Sequence, residues 1–149
     1  MDFRQKVLTT SAPASVVLVR LAVGAVFLSE GVQKFLFPAD LGVGRFVKIG
    51  ITAPEVMAPF VGVVEIVCGL LILIGFLTRL AAVPLVIDML VAVSTTKIPM
   101  LLKSSFWAAA HEARVDFAML LCLLFLLAAG PGPRSADSRL SSRSDTRDG

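Results

Sequence analysis

Charge is scarce in this chain: 17% of its 149 residues are Asp, Glu, Lys or Arg, against 56% hydrophobic residues and a mean hydropathy of +0.87. So little charge on so much apolar surface excludes a soluble catalytic domain and describes a chain whose solvent is lipid. Cysteine is equally sparse. Cys68 and Cys122 each stand alone in an apolar run, with no C-x-x-C spacing and no neighbouring histidine. They read as small packing residues, with a cross-helix redox pair as the sharper alternative. The one histidine, His111, is not in a Glu-x-x-His spacing, and no metal centre is expected. No hydroxyl nucleophile sits beside a base, and phosphate-cradling Gly-rich loops and haem motifs are missing, which removes hydrolase, kinase and cytochrome readings. The net charge of +3 comes from bases spread over loops and tail without interleaved aromatics, so nucleic acid is not an expected partner.

What the chain does have is four apolar stretches at about 15–37, 56–77, 79–96 and 112–130. A helix of about 20 apolar residues crosses a bilayer core, so these stretches predict an all-α integral membrane four-helix bundle over 15–131. A cytoplasmic leader is expected over 1–14. The first stretch contains Arg20, Glu30 and Lys34 and lacks a small-x-small cleavage site, so it reads as a retained span. The segment from Pro38 to Pro54 reads as an interfacial loop or short surface helix, and Thr78-Arg79 leaves room only for a tight hairpin between spans two and three. Lys97, Pro99, Lys103, Trp107 and His111 have the composition of a headgroup-level segment. From 132 to 149 the sequence turns to Ser, Arg and Asp, which predicts a disordered C-terminal tail. Arg4, Lys6, Arg79, Arg134, Arg139, Arg143 and Arg147 fall on one side of this topology and Arg45, Lys48, Lys97 and Lys103 on the other, placing both termini in the cytoplasm of a bacterium's inner membrane.

The ionisable residues inside the spans carry the functional question. A charge at the bilayer centre costs roughly 2.5–3.5 kcal/mol on insertion scales, so it persists only with a partner or a task. Arg20, Gly24, Phe27, Gly31 and Lys34 recur at spacings of 4, 3, 4 and 3, which puts them on one stripe of the first helix. Glu30, four residues before Lys34, is placed for an intrahelical ion pair. In the second span Glu65 shares a stripe with Gly62 and Gly69, and all four glycines are expected at close helix contacts. Counting rise along alternating helices sets Glu30, Glu65, Asp88 and Asp116 in the middle or outer half of the membrane, with Lys34 and Arg114 nearby and Arg20 nearer the cytoplasm. Arg20, Glu30, Lys34, Glu65, Asp88, Arg114 and Asp116 are thus the candidates for a proton or polar-ligand site. The alternative is that they only fix helix register.

Three motifs in this order resemble the DoxX family of small bacterial four-helix membrane proteins. They are R-x-x-x-G-x-x-F-x-x-x-G-x-x-K at Arg20 to Lys34, E-x-x-x-G-L-L-x-x-x-G at Glu65 to Gly75 running into Thr78-Arg79-Leu80-Ala81-Ala82, and Ala128-Ala129-Gly130-Pro131-Gly132-x-x-Ser135-x-Asp137. The resemblance implies association with membrane-linked sulfur-compound oxidation, quinone reduction or oxidative-stress complexes. The expectation is a subunit or accessory of such a redox complex, not catalytic alone, with lipid, a redox protein and a second copy as partners and quinone as the small ligand. In that reading Phe27, Phe35 and Phe60 hold the quinone ring. A proton-coupled permease and a non-catalytic scaffold or assembly factor are the alternatives.

Overall fold

The computed structural model describes residue 10, residues 12–103 and residues 105–145. Among these the chain is entirely helical. Four long helical segments follow one another: α1 (Val16–Leu36), a short α2 (Val43–Lys48), α3 (Pro54–Ile74), a composite rod, and α6 (Phe106–Ala129). The rod is α4 (Thr78–Ala92), a π-helical turn at Val93–Lys97, and α5 (Ile98–Lys103). The chain closes with α7 (Ala136–Asp145). Three helices are long and apolar enough to cross a membrane: Val16–Leu36, Pro54–Ile74 and the whole rod Thr78–Lys103. The fourth long helix, α6, carries Glu112, Arg114 and Asp116 in its first half and is less uniformly apolar.

The molecule is apolar on both its inside and its outside. Val23, Phe27, Ile72, Leu85, Leu123 and Leu126 are almost fully buried, while Leu18, Val56, Phe60, Ile87 and Leu102 stand exposed. Such a shell is stable only against lipid.

Two boundaries differ from the sequence reading. The third span does not stop at 96 but continues to Lys103, and α6 begins at Phe106, not 112, so the expected headgroup-level segment is helical with only residues 104–105 between the rods. The π turn accounts for the continuity. Pro99 has no N–H to offer the carbonyl four residues back, and its ring crowds that carbonyl. The Thr95 hydroxyl bonds back to the Val91 carbonyl at 2.8 Å, and Ser94 and Thr96 make equivalent bonds to Leu90 and Ala92. Such back-bonds bend a helix without breaking it. Trp107 lies fully outward on the first turn of α6.

The expected disorder from 132 onward is also corrected. Gly132 is buried, Ser135 and Asp137 are 3% and 0% exposed, and α7 follows them. The tail is too polar to bury an apolar face, but it carries hydrogen-bonding groups that the helix ends need. Residues 146–149, and residues 1–9 and 11 of the expected leader, lie outside the described residues.

Candidate functional site

The site begins with glycine. A Cβ on Gly31 would stand 2.7 Å from the Gly62 carbonyl oxygen, and one on Gly69 would stand 3.0 Å from the Gly24 carbonyl oxygen. Hydrogen is the only substituent that fits, and α1 and α3 therefore approach backbone to backbone in antiparallel order. This register aligns the far end of α1 with the middle of α3. Lys34 Nζ reaches Glu65 Oε2 at 2.6 Å, and the Glu65 residue is 2% exposed.

Asp88 on α4 completes a buried group. Its carboxyl hydrogen-bonds Glu65 and feels Lys34 and Glu30 on α1 and Asp116 on α6. A carboxylate only accepts, so two carboxyls hydrogen-bonded to each other hold a proton between them. One ammonium facing two carboxyls leaves room for that proton. From Asp116 the charges continue to Lys97, whose Nζ is 3.2 Å from Asp116 Oδ2 and 3.9 Å from Glu112 Oε2. Lys97 was read from sequence as a headgroup residue. The π turn rotates it toward α6, and only its position nineteen residues after Thr78, on the same rod as Asp88, hinted at this.

The structure does not bring the remaining candidates into this group. Glu30 is exposed and makes no ion pair with Lys34, because Glu65 on the neighbouring helix takes the ammonium instead. Arg114 is exposed and donates to the His111 carbonyl at 2.6 Å. Phe27 is packed in the core, Phe35 lies against Gly62, and Phe60 faces outward, so the three do not enclose a ring. Cys68 and Cys122 are both free thiols at the apolar core.

Arg20 belongs to a second, separate polar assembly. It is 2% exposed, and its guanidinium donates to the carbonyls of Ile72 (2.9 Å), Leu73 (2.7 Å), Pro131 (3.3 Å) and Arg134 (2.8 Å). Ile72 and Leu73 offer free carbonyls because α3 ends there. Gly75, at φ +70, closes the helix with Phe76 N–H bonding the Leu71 carbonyl and Gly75 N–H that of Ile72. The left-handed φ and the guanidinium 2.5 Å from where a Cβ would be both require glycine at position 75.

The start of α4 has no local cap, since Leu77 occupies that position. Asp137 supplies one from sixty residues away, accepting Leu77 N–H at 2.7 Å and Thr78 N–H at 3.1 Å, while its own N–H bonds the Gly75 carbonyl at 3.0 Å. The Ser135 hydroxyl donates to the Gly132 carbonyl and accepts from Ser138 N–H, which caps α7. Thr10 joins the same end through Ala129 and Gly132. Asp137 and Ser135 were missed as fold residues. The available signal was an uncapped Leu77 and a patterned G-P-G-x-x-S-x-D run inside an otherwise featureless tail.

A helical chain with lipid-facing apolar rods and charges paired inside is a membrane protein, and the comparisons agree. The DoxX family model matches residues 15–98. An uncharacterized membrane protein of Mycobacterium tuberculosis (strain ATCC 25618 / H37Rv), Rv3486, is 54% identical over 144 residues, covering 93% of this chain and 88% of that protein. This chain belongs to the DoxX family. No solved structure matches it.

Proposed function

We propose that this protein is a proton-handling membrane subunit of a quinone-linked redox complex. In this reading α6 is the fourth span, and the end holding Arg20 and both chain termini faces the cytoplasm of a bacterial inner membrane. The observation that carries it is the Lys34–Glu65–Asp88 group, two carboxyls and one ammonium shut away from solvent at mid-helix. Reducing a quinone takes two electrons and two protons. A partner redox protein would supply the electrons, and Glu65 and Asp88 would pass the protons. With Phe27 locked in the core, the ring would rest at the membrane-facing surface where Phe35 covers Gly62, one helical turn from Glu65.

The test is binding of a short-chain quinone analogue to protein purified in lipid nanodiscs. Wild type should bind, and Glu65→Gln should bind much more weakly. No binding by wild type, or unchanged binding by the variant, removes the reading. The continuation of charges from Asp88 through Asp116 to Lys97 favours a proton-coupled permease as a second reading. Uptake into proteoliposomes driven by a pH gradient would select it.

A further inference from the structure

The charged groups are distributed unequally along the helix axes. Measured from the Arg20 end at about 1.5 Å per residue, Asp88 stands about 15 Å up the rod, Asp116 about 20 Å up α6, and Lys97 about 28 Å up the rod. Everything below them is dry. Val23, Phe27, Leu85, Leu123 and Leu126 are at most 1% exposed, come from α1, α4 and α6, and fill the heights from about 5 to 16 Å. Beneath that plug the guanidinium and Asp137 are committed to backbone groups.

Above the acids the packing opens. A cleft of about 210 Å³ lies between the rod and α6, walled by Val93, Ile98, Leu101, Phe106 and Ala113, with Lys97 as its charged member. A liquid water takes about 30 Å³, so the cleft has room for several, and Lys97 with Asp116 provides the polar partners that hold water. Asp116 connects this cleft to Asp88, and Asp88 to Glu65. The π turn gives the cleft its charge, because it turns Lys97 from the lipid side to α6.

We infer that Glu65 and Asp88 are reached by water from one end of the molecule only, through a half-channel that enters at the Lys97 cleft and stops at the apolar plug. The groups facing the pair are Lys34 and Glu30 from α1 and Asp116 from α6, so every charged neighbour lies toward the open end. This rests on the proton-handling reading only in treating the pair as an exchanging site; the access itself is a property of the fold. Protons reach and leave the pair on the side bearing the α5–α6 turn. The chain by itself does not conduct across the membrane.

The test uses full-length protein lacking its native thiols (Cys68→Ser, Cys122→Ser), reconstituted in vesicles whose orientation is read from a C-terminal tag. A single cysteine is then exposed to a membrane-impermeant cationic methanethiosulfonate on either side. Ala113→Cys and Asp116→Cys should react from the side opposite the tag. Val115→Cys, at the same height but facing lipid, and Leu123→Cys, in the plug, should react from neither. Ala113→Cys keeps the native charges, so it reports even where Asp116→Cys folds poorly. Protection of Ala113→Cys from both sides, labelling from the tag side, or labelling of Leu123→Cys overturns the half-channel. None of these outcomes depends on quinone binding, so failure here and failure of the redox reading are separable.

Discussion

The two ends of this helix bundle both bury charge, yet they satisfy it in opposite ways. At one end Arg20 meets only neutral carbonyls and Asp137 meets backbone N–H groups, each already fixed by a helix terminus. At the other, Lys34, Glu65 and Asp88 meet one another, with more carboxyls than ammoniums. Backbone partners cannot leave or change protonation, so the Arg20 end is a fastener. Side-chain partners that outnumber their counter-charges are left able to exchange a proton. The difference separates the residues that hold the fold from those available for chemistry.

The largest effect that would sharpen this contrast is Arg20→Gln. Hydrogen bonds from a charged group contribute roughly 1.5–3 kcal/mol each, and several are lost at once, so destabilisation above about 3 kcal/mol is expected in detergent unfolding. A variant as stable as wild type would break the fastener assignment. Next comes the double change Glu65→Gln with Asp88→Asn, which strands the Lys34 ammonium and should cost about 3–5 kcal/mol. Gly31→Val should follow at about 1–3 kcal/mol, because its branched side chain drives into the Gly62 carbonyl. Asp137→Ala removes the cap of α4 and should cost about 1–2 kcal/mol in the same measurement.

The smallest expected effect is the most informative. Glu65→Gln alone keeps the shape and leaves Asp88 to balance Lys34, so stability should change by less than about 1 kcal/mol while the proton-exchanging behaviour is lost. In infrared spectra, carboxyl C=O signal changes linked to this group should vanish in that variant. A loss of stability as large as that of the double change would place the pair with the fasteners and erase the contrast between the ends.

The glycine seam was legible in the sequence because Gly24, Gly31, Gly62 and Gly69 repeat at helical spacing, and the seam sets the one register that brings Lys34 to Glu65. The intrahelical Glu30–Lys34 pair was equally well spaced and did not form. A partner on a neighbouring helix is better desolvated than one on the exposed face of the same helix, and nothing in a linear spacing ranks the two. Asp137 shows the same limit at longer range. Its composition-based reading as disordered tail failed because order there comes from two hydrogen bonds to helix α4, not from buried apolar area.

The sequence by itself determined that lipid is the solvent, that the elements are helices, and that acids and bases inside them need partners, since hydropathy, helical period and the cost of isolated charge are local properties. Only the tertiary structure decided which charges meet. Arg20 went to helix ends and loop carbonyls, Lys34 to Glu65, and Lys97 through a π turn to Asp116, because partner choice depends on helix register and on which neighbouring groups were left unsatisfied.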